Sequence, residues 1–345
     1  MVVLAERGPL FDDLRGSDVE VEVRPLSVLR RSLASVAGFA SISAAAARDS
    51  VALSRLIRER NVALVHSNTS VVLGGAVAAA ATRRPHVWHV REIYSRFTRQ
   101  WPAYRRALRS AAALPCVSAA TAAQFGGPSD RVRVIYDGLA LDPRRADPLV
   151  ARQALGLHPR IPTITVLGRI SDWKGQDVLI RALAEKPLRD RGAVGVIAGD
   201  VWPGAEEHRE RVLELAETLR VDGRLRLIGF RDDVDNVYGA ADLVAVPSTA
   251  PDPLPGAAVE AAAAGCTVIA SNHGGLPEII RDGETGRLVP PSNPRPLAQV
   301  AAELLDDRAA RERLGAAAAA DVRVRFAPDR LLTAIQSLYD EVLTG

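Results

Sequence analysis

Apolar positions along this chain fall into two rhythms. Short apolar runs read as buried strands, and apolar positions spaced three and four apart read as helices. In the first part, strands are expected at Met1–Leu4, Val19–Val23, Val62–His66, His86–Val90, Leu114–Val117 and Val132–Tyr136. Helices are expected between them at Phe11–Arg15, Ser50–Arg60, Val72–Ala81 and Ala119–Phe125. A turn-rich stretch, Asp137–Pro148, follows, and then the alternation restarts. The second set of strands is Thr163–Val166, Val194–Ala198, Leu225–Ile228, Leu243–Val246 and Thr267–Ala270. Helices at Gln176–Glu185, Glu206–Arg220, Val234–Ala241 and Gly256–Ala264 separate them, and Pro294–Leu343 reads as helical throughout. Strands alternating with helices predict an α/β fold of two Rossmann-like, doubly wound parallel sheets in tandem. A cleft between two such halves is a favoured ligand site.

Length and composition fit this picture. A chain of 345 residues can bury two ordinary cores. No apolar stretch reaches the roughly 18 to 20 residues that would span a bilayer, and the start, Met1–Leu4, is too soon charged for a signal peptide. Cys116 and Cys266 sit in apolar surroundings and read as core thiols of a reducing compartment, which makes a cytoplasmic location the expectation. With 44 basic against 41 acidic residues there is no nucleic-acid stripe. Almost every cation is Arg: Lys174 and Lys186 are the only lysines. A guanidinium cannot mimic a compact ammonium, so a lysine in this arginine-rich background marks a position that needs one.

Two loops gather candidate chemistry. Leu243–Val246 is followed by a Pro-rich loop containing Asp252, and the next helix carries Glu260 among small apolar residues. A loop of this kind lies at the carboxyl end of a parallel sheet beside a helix N-terminus, where ligands and anions bind. Asp252 is equally well read as a turn or capping residue. Glu260, on a helix expected to be well buried, needs a partner. The other loop is Leu167–Gly168–Arg169–Ile170–Ser171–Asp172–Trp173–Lys174–Gly175. Gly168 lets the backbone approach a ligand, and Arg169 and Lys174 bracket a helix start. Two cations at a helix N-terminus suit a diphosphate, although solvated surface cations are the commoner case.

These motifs resemble the donor-site signature of the large retaining glycosyltransferase family with a GT-B fold, family 4. Pro247–Ser248, Asp252, Glu260–Ala261, Gly265 and Gly274–Gly275–Leu276–Pro277–Glu278 fill its Pro-Ser, Glu-x7-Glu, Glu-Ala-x-Ala-x-Gly and Gly-Gly-x-Pro-Glu pattern. Asp replaces the first Glu, Leu254–Pro255 replaces the usual Phe-Gly, and the spacing is kept. Gly168–Arg169 and Lys174–Gly175 resemble the family's second hallmark. The resemblance implies a metal-independent enzyme that moves a sugar from a UDP- or GDP-sugar to a glycan, a lipid-linked sugar or a small molecule. Arg169 and Lys174 would hold the diphosphate, Glu260 the ribose, and Asp252 the sugar hydroxyls with the amides near Gly256 and Ala257. His89, ending a first-half strand in His-Val-Arg-Glu, would take the place of the family's activity-linked histidine better than His66, with Arg91 and Glu92 on the acceptor side. The domains implied are 1–147 for the acceptor, 148–326 for the donor, and 327–345 as a helix returning to the first domain.

Several readings stay open. A histidine at a strand end is often only structural. The basic, aromatic segment Tyr94–Arg109 could dock an acidic or lipid-linked acceptor at a membrane periphery, or be an amphipathic helix with solvated arginines. Asp233 and Asp235 read as capping residues rather than metal ligands. Against the family pattern, the opening strand, Gly-rich loop and long helix are expected to be missing from this sequence, either because the start codon is placed too late or because the protein is a degenerate form. A sheet short of these exposes apolar surface, predicting poor solubility, a homo-oligomer or a rearranged first half. The rival functions are a nucleotide-sugar epimerase and a non-catalytic nucleotide-sugar-binding remnant.

Overall fold

The computed structural model describes residues 1–29, 36–94, 101–139 and 142–345, and over residues 36–44 the backbone alone. The chain is an α/β protein of two compact units. One comprises Met1–Val117, Thr121–Ile135 and Ala334–Gly345; the other comprises Ser118–Ala120 and Tyr136–Thr333.

The first unit runs β1 (Val2–Leu4), α1 (Pro9–Arg15), β2 (Val21–Val23), α2 (Val36–Glu59), β3 (Val65–Ser67), α3 (Gly74–Thr82), β4 (His86–Trp88), α4 (Trp101–Leu108) and β5 (Leu114–Cys116). Helix α5 (Ala119–Ala123) and strand β6 (Val132–Val134) follow. All three pairings, β1–β2, β3–β4 and β5–β6, are parallel, and bridges at Val87–Ala113 and Val90–Cys116 join β4 to β5. Trp88, Leu108, Leu114, Phe125 and Val132 form its core. Helix α2 begins well before the expected Ser50, because the alanine run Ala44–Ala47 extends it with the best of helix formers. Large exposed apolar side chains of this unit include Leu10, Val51 and Val77. Residues 95–100 of the basic, aromatic segment lie outside the described residues.

The second unit begins with α6 (Pro148–Ala154), whose N-cap Asp147 accepts from the amides of Leu149 and Val150. It continues through β7 (Thr163–Leu167), α7 (Gln176–Ala184), α8 (Lys186–Arg189), β8 (Val194–Ala198), α9 (Glu207–Thr218), β9 (Leu225–Gly229), α10 (Val234–Ala240) and β10 (Leu243–Val246). Then come α11 (Gly256–Ala263), β11 (Val268–Ser271), α12 (Leu276–Ile279), β12 (Arg287–Val289), α13 (Pro294–Asp306), α14 (Arg308–Arg325) and the start of α15 (Pro328–Thr344), whose residues from Ala334 on belong to the first unit. The sheet is parallel and six-stranded, in the order β12-β11-β10-β7-β8-β9. Its central strands β7, β8, β10 and β11 are buried on both sides, as near-continuous apolar runs such as Leu-Val-Ala-Val in β10 require. One core cluster contains Ile164, Leu179, Ile197 and Leu297; another contains Val244, Ala258, Val268, Leu276 and Phe326.

This order places the site. From β7 the chain winds one way to β8 and β9, then returns to β10 on the other flank of β7 and winds outward. The winding reverses between β7 and β10, and at such a switch point the loops at the carboxyl ends part to leave a crevice. Among the described residues, no helix is long and apolar enough to cross a membrane.

Candidate active site

The loops that follow β7 and β10 are bound to each other mainly through backbone. Gly175, at φ +79, is the N-cap of α7. A Cβ there would lie 1.9 Å from the carbonyl oxygen of Pro247, so only glycine lets the two loops meet. The Thr249 amide donates to the Trp173 carbonyl at 2.8 Å, and its hydroxyl donates to the Asp172 carbonyl at 3.2 Å. Gln176 is buried and donates from Nε2 to the Arg169 carbonyl at 3.0 Å. His273 reaches the Ser248 carbonyl through Nε2 at 2.7 Å.

Lys174 projects from this junction. Its Nζ lies 2.8 Å from Asp252 Oδ2 and 4.3 Å from the centre of the Trp173 ring. The side chains of Lys174 and Asp252 are 23% and 7% exposed, so each charge would be costly without the other. The family resemblance implies different parts of a ligand for these two residues; the structure joins them as an ion pair. The Asp252 carbonyl accepts from the Gly275 amide at 2.8 Å, which ties the loop to the Gly274–Gly275 turn after β11. Gly168 begins the first loop at φ +137, with open space where a Cβ would stand. Arg169 follows, exposed, with its guanidinium 4.1 Å from the centre of the Trp202 ring.

Helix α11 starts in the same loop system. Pro255 is its N-cap and supplies no side-chain cap. Among the described residues, no acceptor takes the amides of Gly256 and Ala257, so two donors and the positive end of the helix remain available. Glu260, one turn on, is half-buried and accepts from the Tyr238 hydroxyl at 3.1 Å. Burial, and then the Glu260 charge, push the Tyr238 phenol far above its usual range, so it remains a donor.

Other expectations fall differently. Asp233 stands at the N-cap of α10 but makes no capping bond; Arg231 and the Asn236 amide occupy its carboxylate, which holds its pKa down at about 2. Asp235 accepts from the Arg144 amide. Among the described residues, no three His, Cys, Asp or Glu are grouped to hold a metal. Glu278 accepts from the amides of Ala119 and Ala120 and from the Tyr136 hydroxyl, so its carboxylate anchors backbone. Both cysteines are buried, and burial raises their thiols to about 12. Trp173, Trp202 and Tyr238 escape the sequence reading, since they reach their partners through ring contacts and tertiary packing that no motif spells out.

The histidines belong to the first unit and have their own geometry. His66 is the middle residue of β3 rather than its end, and His89 follows β4, with ring centroids 5.6 Å apart. His66 Nδ1 pairs with the Tyr339 hydroxyl. Burial lowers His66 to about 4 and His89 to about 3, and the Arg91 charge pushes both the same way. His89 is 2% exposed, and its Nε2 has no hydrogen-bond partner among the described residues. Glu92 accepts from the hydroxyls of Thr69 and Ser70 and from the Arg91 amide, which braces that loop.

Comparison with known proteins gives matches along both units. Residues 120–321 match the family described as glycosyl transferases group 1, and residues 12–142 match glycosyltransferase family 4. A D-inositol 3-phosphate glycosyltransferase of Nocardia farcinica is 37% identical over 202 residues, covering 57% of this chain and 44% of the relative. This chain therefore spans less than half the length of that relative. The crystal structure of Anabaena Alr3699/HepE in complex with UDP superposes with a TM-score of 0.82 at 26% identity, over 98% of this chain and 91% of that one. HepE has also been solved in complex with UDP-glucose. A glycosyltransferase from Rickettsia africae superposes with a TM-score of 0.82 at 21% identity, over 98% of this chain and 88% of its own.

Proposed function

The chain belongs to the glycosyl transferases group 1 family and has the GT-B α/β fold, and from that premise we propose that it moves a sugar from a nucleotide diphosphate sugar to an acceptor hydroxyl, with retention of anomeric configuration. The observation that carries this reading is the meeting of Lys174 and Asp252 at the switch point, beside the uncapped start of α11. In this reading residues 148–326 serve the donor and residues 1–147 the acceptor.

Departure of the nucleotide breaks the bond between the anomeric carbon and the β-phosphate oxygen, and the electron pair leaves with the diphosphate. Arg169, Lys174 and the α11 amides at Gly256 and Ala257 lie where such charge can be met by fixed donors, so the step is assigned without a metal. A diphosphate on Lys174 competes with Asp252 for the ammonium and releases the carboxylate toward the sugar hydroxyls. Glu260, held by Tyr238, receives the ribose hydroxyls. The acceptor oxygen takes the leaving oxygen's place on the same face of the sugar, and its proton passes to the departing β-phosphate oxygen. His89 is assigned a neutral hydrogen-bonding role in orienting the sugar: an imidazole titrating at about 3 is too weak a base to take a proton near neutrality.

UDP is the nucleotide to try first, from HepE, and an inositol phosphate the acceptor to try first, from the Nocardia relative. The test measures consumption of UDP- and GDP-sugars with and without an acceptor panel, in the presence of EDTA. Glycosylated product of retained configuration, formed only with acceptor, is the expected result. Donor isomerised without acceptor would make the chain an epimerase, and nucleotide binding without turnover would make it a binding remnant.

A further inference from the structure

Both cations of the candidate donor site lie on indole rings, but the two rings differ in what else they do. Trp173 is half-buried in the loop junction. Trp202 is 59% exposed, an unusual setting for the largest side chain, and it takes no part in the cores. Its backbone is nevertheless closely fixed. The loops after β7 and β8 bind each other through Gly168 N–H to Ala198 and Ile170 N–H to Asp200, at 2.8 and 3.0 Å. Gly199, at φ +142, brings them into contact, for a Cβ there would lie 2.2 Å from the Gly168 carbonyl oxygen. Trp202–Pro203–Gly204–Ala205 then closes a turn, with the Ala205 amide on the Trp202 carbonyl at 2.9 Å and Gly204 at φ +85. Proline second and a positive-φ glycine third make this the sequence and geometry of a type II turn.

We propose that Trp202 is a positioning residue that holds Arg169 ready for the diphosphate. The inference rests on the donor-site reading given above. An exposed arginine loses much rotamer freedom when it binds, and a ring at 4.1 Å removes part of that freedom beforehand. A guanidinium over a ring can give its face to the indole and its N–H edges to phosphate oxygens, so the ring and the ligand need not compete. The turn fixes the backbone that carries the indole whether or not the ligand is present.

The test is isothermal titration of UDP and of inorganic pyrophosphate into wild type, Trp202→Ala, Trp202→Phe, Arg169→Ala and the Trp202→Ala/Arg169→Ala double variant. Thermal unfolding of each variant checks the fold. Trp202→Ala is expected to weaken both ligands about two- to fivefold, with Trp202→Phe recovering most of the loss. In the Arg169→Ala background the same change is expected to have no effect, which a merely structural tryptophan would not produce. Equal binding by wild type and Trp202→Ala, or equal losses in both backgrounds, would overturn the clamp and leave the donor site standing. Absence of binding by wild type would overturn the donor-site reading, and the clamp with it.

Discussion

The two units hold their buried polar groups by opposite means. In the second, an ammonium and a carboxylate meet at 2.8 Å between loops locked by backbone contacts. In the first, half-buried His66 and buried His86 and His89 are held as neutral rings, with burial as the main cause of their lowered pKa values. His86 is satisfied by Ser67 Oγ at 3.0 Å, whereas His89 Nε2 finds no partner among the described residues. An ion pair can exchange one member for a ligand's charge, which suits a diphosphate. Neutral rings offer hydrogen bonds without charge, which suits sugar and polyol hydroxyls. The difference therefore follows the proposed division between donor and acceptor.

The largest way to break that contrast is to remove the ammonium. Lys174→Ala is expected to lower turnover about 10²- to 10³-fold, the scale of losing one preorganised stabiliser of developing charge. It also strands Asp252, 7% exposed, and is expected to cost about 3 kcal/mol of stability. The double variant Lys174→Ala/Asp252→Ala separates the effects: denaturant unfolding should show stability largely restored, while assays show turnover still lost. Recovery of turnover in the double variant would mean that Lys174 only neutralises Asp252.

Acid sharpens the contrast from the other side. His66, His86 and His89 of the first unit have folded pKa values of about 3 to 4, against 6.5 when unfolded. Above pH 6.5 neither state binds these protons and their contribution is complete. As the pH falls from 6.5 toward 3 to 4 the unfolded chain takes up protons that the folded chain refuses, and stability is lost. The loss is on the order of 2 kcal/mol per histidine by pH 5. Hydrogen exchange between pH 7 and 4 should show the first unit opening before the second. Simultaneous opening, or the reverse order, would mean that the rings are not held neutral.

What the sequence made legible follows from locality. Arg169, Lys174, Asp252 and Glu260 lie in short loops and a helix start whose strands are continuous apolar runs, and Lys174 stands out in an arginine-rich chain. The parallel sheet of the second unit follows from the same runs. The pairing of Lys174 with Asp252 and of Tyr238 with Glu260 depends on strand order, which no local pattern contains. Likewise Trp202 reaches Arg169 only because β8 lies next to β7. Short elements such as β12, α8 and α12 carry too few residues for a period to show. In the first unit the strands are three residues each, shorter than the apolar runs that foretold them.

The central claim is that the Lys174–Asp252 pair opens to receive a diphosphate, and the most direct measurement is a crystal structure with UDP bound. The account predicts the β-phosphate on Lys174 and on the N–H edge of Arg169, the ribose on Glu260, and the Asp252 carboxylate released from the ammonium. A nucleotide bound elsewhere, or a diphosphate seated while Lys174 remains on Asp252, would contradict it.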